Sequence, residues 1–269
     1  MDDGLNSSLD ELVASTAALA TEQGGILLDR WRSIGPLSYK NRRDFATEMD
    51  VEVENNIKAA LTARFPLHGF SGEETRPERS EARYQWLIDP IDGTKYYAAQ
   101  VPIFSVSIAL LLDAEPIMGV VHVPASAQTF AARKGGGAFL DGHRLRGSTV
   151  AGLPDVIVNV DTPNSDRLST VERQWFENRP VRLTSHVYRV RAIGVGSLAA
   201  CWLATGALDA YVDLTGYVKP PDIAAGRIIM QEAGLRLEYI DPGAGPRRLL
   251  SAPPHLWDEL HQLLMRASR

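Results

Sequence analysis

Apolar positions recur at helical spacing through "SSLDELVASTAALATEQGGILLDRWRS", where Leu12, Val13, Thr16, Leu19 and Ala20 share one face. The spacing predicts one long helix, or two short ones parted at Gly24-Gly25, with Ser8 and Glu11 as a capping box. The same period returns in "DVEVENNIKAALTARF", with Val53, Ile57, Ala60, Leu61 and Arg64 near one face. The polar stretch "PLHGFSGEETRPERSEAR" reads as a loop. The pattern then turns to short β-rich runs: "YQWLID", "FSVSIALLL", "IMGVVHV" and "TFAARK". Turn signals at Asp113-Ala114-Glu115-Pro116 and at Pro124 separate them, which predicts an antiparallel meander. Asp141-Gly142 in "GGGAFLDGHRL" adds a hairpin signal.

Beyond residue 150 strands and helices interleave. "DVIVNV", "VYRVRAIG" and "ALDAYVDL" read as strands, and "LRLEYI" as the last one. "SLAACWLATG" reads as a buried helix closed by Gly206, and "DIAAGRIIMQEAG" as a helix opening at Asp222 and closing at Gly234. "PPHLWDELHQLLMRA" is a final amphipathic helix. No internal repeat or low-complexity linker interrupts this order. Mixed helices and sheets predict an α+β layered architecture. The change of texture divides one unit, 1–269, into halves at 1–150 and 151–269.

Composition narrows the partners. A chain of 269 residues, 45% hydrophobic, can bury a sizeable core. A net charge of −5 offers no basic field, so neither nucleic acid nor a membrane is expected as partner. An anionic substrate would need a cation to mediate its approach. The single cysteine, Cys201, excludes an intramolecular disulfide framework and, inside an apolar helix, reads as inert core. The acidic, polar start "MDDGLNSSLDEL" is unlike a signal peptide, and no apolar run reaches the ~18 residues of a membrane span. A cytoplasmic protein is expected.

The chemistry gathers where the apolar run "WLI" meets "DPIDGT". Pro90 disfavours helix at Asp89, so the chain is expected to turn there. Asp92-Gly93 then makes a tight turn in which both carboxylates, with the Ile91 carbonyl between them, can converge. Such hard oxygen donors suit Mg²⁺. Gly93 and Thr94 offer backbone N–H groups at the start of a helical turn, a setting that attracts phosphate. Metal ligands beside an anion cradle are what metal-assisted phosphate ester hydrolysis requires. Asp-Pro and Asp-Gly are also ordinary turn residues. Glu73-Glu74 can equally be a solvated loop, and Asp50 and Asp222 plain helix N-caps.

In order, "GEE" at 72–74, "DPIDGT" at 89–94 and "DIAAGRIIMQEAG" at 222–234 resemble the inositol monophosphatase family of lithium-sensitive, Mg²⁺-dependent phosphatases. "VPIFSVSIALL" and "ARKGGGAFLDGHRL" extend the likeness, which runs from about Lys40 to the C-terminus. The resemblance implies the layered α-β-α-β-α sandwich shared with fructose-1,6-bisphosphatase. It implies Glu73, Asp89, the Ile91 carbonyl, Asp92 and Asp222 as ligands of two or three Mg²⁺ ions. Asp50 and Thr94 would position the attacking water, which Glu73 also touches. The Gly93 and Thr94 amides would cradle phosphate. Gly194 and Gly196 would line the sugar pocket, with Asp92 and Asp222 also at the substrate. A small phosphorylated substrate, inositol monophosphate or a similar sugar phosphate, is implied, as is a homodimer. Clustered carboxylates fit this reading, because metal ions would relieve their repulsion.

Several positions depart from the family pattern. Tyr96 stands where Asn is usual, two residues past the Thr, and with Lys95 the G-T-K is similar to relatives acting on phosphoadenosine phosphate or histidinol phosphate. Pro221 replaces the usual Trp before the last metal Asp. The span from Asp213 to Asp222 is longer than in animal members and more resembles dual inositol phosphate/fructose 1,6-bisphosphate enzymes, with no secure counterpart to the Glu that contacts inositol there. Arg189 and Arg191 could meet a second phosphate. A non-catalytic phosphate-binding relative is one rival reading. Another is a nicotinamide oxidoreductase, because Gly194-x-Gly196-x-x-Ala199 lies between a strand and a helix with Asp213 beyond.

Overall fold

The computed structural model describes residues 3–33, 35, 37–41, 44–162, 168–241, 243 and 245–266. Helix α1 (Asp3–Arg30) runs unbroken. It begins five residues before Ser8, so Ser8 and Glu11 lie inside it and form no capping box. Gly24 does not interrupt it either. A Cβ at Gly24 would collide with the His122 ring, so the glycine marks a close approach between helix and sheet. A hairpin, β1 (Leu37–Asn41) and β2 (Asp44–Thr47), leads into α2 (Glu48–Arg64). Val53, Ile57 and Leu61 are buried along α2, whereas Ala60 and Arg64 face solvent.

A seven-stranded sheet follows: β3 (Gly69–Gly72), β4 (Tyr84–Asp92), β5 (Ser105–Leu112), β6 (Glu115–Val123), β7 (Gln128–Arg133), β8 (Gly137–Leu140) and β9 (His143–Arg144), with the short helix α3 (Thr94–Ala98) after β4. Its order is sequential, and only β3–β4 is parallel. The meander was legible because each hairpin has its own turn chemistry. Asp113-Ala114 and Asp141-Gly142 take positive φ at both central positions, as tight two-residue hairpins demand. Strand β3 lies within the stretch expected to be a loop. It is a short, glycine-bounded edge strand with no apolar alternation to betray it.

The second sheet has five strands: β10 (Ile157–Asp161), β11 (Arg189–Arg191), β12 (Ala210–Asp213), β13 (Arg236–Ile240) and β14 (Arg248–Ala252), in the order β11-β10-β12-β14-β13. "LRLEYI" is therefore followed by one more strand, which opens on a fully buried arginine, Arg248. The remaining helices are α4 (Thr170–Glu177), α5 (Arg179–Thr184), α6 (Gly196–Thr205), α7 (Pro220–Glu232) and α8 (Pro254–Met265). Helix α7 starts two residues before the expected Asp222. Pro220 and Pro221 fill its first turn, where no N–H is needed, so Asp222 is the third helical residue and not the N-cap.

Four apolar interfaces separate five layers. Leu12 and Leu27 of α1 and Ile57 of α2 pack on Trp86, Ile88 and Val106. On the opposite face of the same sheet, Leu87 and Val121 meet Leu198 of α6 and Ala225 and Ile228 of α7. Alternation along β4 thus sends successive residues into different cores. The far sides of α6 and α7 meet the second sheet through Leu203, Met230 and Leu249. Trp175, Leu183 and Leu260 of α4, α5 and α8 cover that sheet's outer face. This is the α-β-α-β-α sandwich the motifs imply. Because α6 and α7 are sandwiched, their N-termini meet the C-terminal end of β4 inside the molecule.

Candidate metal centre

Asp89 and Asp92 are three residues apart, an odd spacing that sends side chains to opposite faces of a regular strand. The chain was expected to turn at Asp89, but β4 continues to Asp92 through an irregularity. Asp89 pairs with Ser107 and Asp92 with Ser105, so one extra residue is accommodated on β4. This bulge at Pro90-Ile91 re-aims Asp92. The Asp89 Oδ1 accepts the Ile91 N–H at 3.1 Å. The Ile91 side chain is fully buried, and its carbonyl accepts the Thr94 hydroxyl at 2.9 Å.

Glu73, Asp89 and Asp222 each bring a carboxylate oxygen within 4.8 Å of the others. Glu73 follows β3 and hangs from β4 by its N–H to the Ile88 carbonyl, 3.2 Å. Glu54 of α2 braces the same bend, accepting the Glu74 and Thr75 N–H groups at 2.8 and 2.9 Å and also the Thr75 hydroxyl. Gly72 is required there, since a Cβ would strike the Glu54 carboxylate. Glu54 had a signal in sequence: it lies three residues from Ile57 and seven from Leu61, on the buried face of α2.

Asp222 enters from α7. Its Oδ1 is buried with no hydrogen-bond partner among the described residues. An orphaned buried carboxylate oxygen beside two other carboxylates is what a cation site presents. Burial and the Glu73 charge push Asp222 up to about 7. Burial and the neighbouring acids also hold Asp89 well above the usual carboxylate range. Asp92 is raised by burial and by Asp222, against the opposing pull of Ser197. Asp92 lies outside the trio. Its Oδ2 accepts the Ser197 N–H at 2.7 Å and the Ser197 hydroxyl at 2.6 Å, placing a carboxylate at the N-terminus of α6. Ser105 braces Ser197 in turn, 2.8 Å between hydroxyls.

Asp50 is not an N-cap. Thr47 caps α2, and Asp50, in the capping box with it, accepts the Thr47 N–H and hydroxyl at 2.7 Å on Oδ2. Its Oδ1 lies 3.0 Å from the Thr94 hydroxyl. That hydroxyl has one hydrogen and two acceptors within reach, Asp50 and the Ile91 carbonyl. Burial raises Asp50 despite these donors. Lys219, the residue before α7, donates to Glu73 Oε1 at 2.5 Å. Neither Lys219 nor Ser197 carried a signal in sequence, because each matters only through a contact across the fold.

Glu73, Asp89, Asp92 and Asp222 line an open cleft of about 720 Å³ with Gly93, Thr94, Lys95, Tyr96 and Gly194. Gly93 has φ 97°, and a Cβ there would come within 2.8 Å of the Ile103 carbonyl oxygen. A smaller lobe of about 280 Å³ shares Asp92, Gly194 and Asp222 with the cleft and adds Asp161, Thr162, Gly196, Thr215 and Tyr217. Asp161 ends β10 and is pushed up to about 6, chiefly by burial.

The departures from the family pattern acquire physical roles. Tyr96 ties α3 to the loop before α6, its hydroxyl donating to the Ile193 carbonyl at 2.7 Å. Pro221 is buried in the first turn of α7 and leaves Asp222 facing the cluster. Arg189 and Arg191 lie on the edge strand β11, each donating to the carbonyl of its preceding residue, and neither lines the cleft or the lobe. Cys201 is fully buried, and burial pushes its thiol up. The dinucleotide reading fails on topology. Strands β11 and β12 are not neighbours, since β10 lies between them. The Asp213 carboxylate is taken up by the Thr215 and Gly216 N–H groups. No helix among the described residues is long and apolar enough to cross a membrane.

Comparison with known proteins matches residues 8–269 to the inositol monophosphatase family. An inositol monophosphatase of Dictyostelium discoideum is 30% identical over 271 residues, spanning 97% of each chain. A fructose-1,6-bisphosphatase/inositol-1-monophosphatase of Aquifex aeolicus is 32% identical over 82% of each chain. A histidinol-phosphatase of Mycobacterium tuberculosis is 38% identical, spanning 74% of this chain and 76% of its own. The extragenic suppressor protein SuhB of Bartonella henselae has the same fold, with TM-score 0.86 at 23% identity over 96% of this chain and 100% of its own.

Proposed function

The chain belongs to the inositol monophosphatase family, and from that premise we propose that it is a Mg²⁺-dependent phosphomonoesterase acting on inositol monophosphate or a similar small sugar phosphate. The observation that carries this reading is the Glu73, Asp89 and Asp222 cluster with the buried, partnerless Asp222 Oδ1. Glu73, Asp89, the Ile91 carbonyl, Asp92 and Asp222 would hold two or three ions. When bound, Mg²⁺ supplies polarisation of the phosphoryl group and acidification of water.

The chain's own residues supply the rest. Thr94, between Asp50 Oδ1 and the Ile91 carbonyl, can accept a water's hydrogen bond while its hydroxyl proton leans on Asp50. Water oxygen bonds to phosphorus in line as the bond to the alcohol oxygen breaks. The water proton passes toward the Thr94–Asp50 pair, and the departing alcohol takes its proton from solvent. The Gly93 and Thr94 amides orient the phosphate, and Gly194 and Gly196 leave room for the alcohol part. Cys201 is buried in α6 and takes no part. The family likeness would imply assembly as a homodimer and inhibition by lithium.

The deciding experiment is phosphate release from inositol 1-phosphate, fructose 1,6-bisphosphate, histidinol phosphate and phosphoadenosine phosphate, with Mg²⁺ and with a chelator. Release that needs the metal and is lost in Glu73→Gln is the expected result. No release from any of the four esters, or full release in Glu73→Gln, would end this reading.

A further inference from the structure

The smaller lobe beside the metal centre has a distinct charge pattern. It opens from the cleft at Asp92, Gly194 and Asp222, where the alcohol part of an ester would project. Among the described residues no lysine or arginine lines it. Its carboxylate is Asp161, 9% exposed, which accepts the Tyr211 hydroxyl and, at 3.4 Å, the Asn159 amide. Both partners are neutral, and among the described residues no cation pairs with Asp161. The nearby Asp213 differs. It is held by two backbone N–H groups and favoured by the Arg248 charge. The Tyr217 hydroxyl is engaged by Glu172 at 2.7 Å. Among the described residues Asp161 is thus the one lobe carboxylate, outside those shared with the metal cluster, that faces a ligand without a cationic partner.

We propose that Asp161 determines specificity in this lobe, selecting phosphate esters whose alcohol part is neutral or cationic and donates hydrogen bonds, and turning away a second phosphate. The proposal rests on the phosphatase reading above and names its substrate class. An ammonium group on the ligand meets Asp161 with both Coulomb attraction and a charge-assisted hydrogen bond. A hydroxyl gains the hydrogen bond alone. A phosphate dianion meets repulsion from Asp161 with no lysine or arginine among the described lining residues to offset it, which is discrimination by an unfavourable contact. The two arginines that might have received a second phosphate sit on the edge strand β11, bonded to backbone carbonyls there, and neither lines the lobe.

The test is Asp161→Asn, which keeps an acceptor for Tyr211 and removes the charge. KM is measured for three esters of graded charge: histidinol phosphate (cationic), inositol 1-phosphate (neutral) and fructose 1,6-bisphosphate (anionic). The expected result is KM raised roughly tenfold for the first and about threefold for the second, and lowered for the third. Misfolding would move all three in the same direction. Equal changes across the series, or a wild-type enzyme with its lowest KM for the bisphosphate, overturn the proposal. Binding of the same esters is also measured calorimetrically with Mg²⁺ in an Asp50→Asn background, with and without Asp161→Asn. A wild type that releases no phosphate ends the phosphatase reading, while the calorimetric charge series still decides the role of Asp161.

Discussion

At the scale of single residues, Asp92 shows how a local irregularity becomes chemistry. The bulge that re-aims it also delivers its Oδ2 to Ser197 at the start of α6. Asparagine at this position keeps an oxygen for Ser197 but loses the charge that burial and Asp222 already disfavour. Asp92→Asn is therefore expected to weaken Mg²⁺ binding by roughly tenfold or more and to cut turnover sharply, while the metal-free melting temperature stays level or rises. Calorimetric metal titration beside thermal melts checks this, and a variant active at ordinary Mg²⁺ contradicts it. The gathering of Glu73, Asp89 and Asp222 was legible through the order of the motifs that carry them, since each acid alone reads equally as a turn, loop or cap residue. Their supports were not. Glu54 could have been found from the face it occupies, but Ser105, Ser197 and Lys219 meet their partners only once distant strands and helices have docked.

Among the elements, helix α7 sets the precision of the centre, since it carries Asp222 and is gripped from both sides. A Cβ at Gly119 of β6 would approach the Ala225 Cα to 2.7 Å and its carbonyl oxygen to 2.9 Å, and a Cβ at Gly226 would meet Ala200 of α6 at 2.5 Å. The Ala225 atoms opposite Gly119 are backbone and cannot swing aside, and the Ile228 Cγ2 lies at 2.8 Å beside them. Gly119→Ala is expected to cost about 1–3 kcal/mol of stability and to weaken metal binding by displacing Asp222. Denaturant unfolding and metal titration of the same variant test both halves, and unchanged affinity would separate packing from the site. Turn signals exposed the meander, and periodicity exposed α1 and α2 because each repeats one face over many residues. It missed β3 and β14, which are short, and whose burial is imposed by neighbours and not by their own pattern. Arg248 at the head of β14 is buried because the Leu214 carbonyl and the Trp175 ring receive it.

Taken whole, the molecule encloses an acid cluster whose charges oppose its own folding. Asp222 at about 7, Asp161 at about 6, and the raised Asp50, Asp89, Asp92 and Asp213 all have folded-state values above those of the unfolded chain. A raised carboxyl stabilises the fold most below its unfolded value near 4, and that contribution is lost as pH climbs through the folded value. The metal-free protein is therefore expected to melt at a lower temperature at pH 8 than at pH 5.5. On the proposed function Mg²⁺ would bind the deprotonated acids, so excess metal should raise the melting temperature more at pH 8 than at pH 5.5. Thermal melts across this range, with chelator and with Mg²⁺, check the sign, and a metal-free curve that rises with pH would refute it. The intercalated position of α7 also bears on the order of events during folding. Strands β4 to β9 join through near-neighbour hairpins and can form early, whereas α7 must close a long loop to reach their exposed face. Asp222 is then the last acid to arrive, and metal affinity becomes a kinetic reporter: it should appear only in the phase that completes the native state.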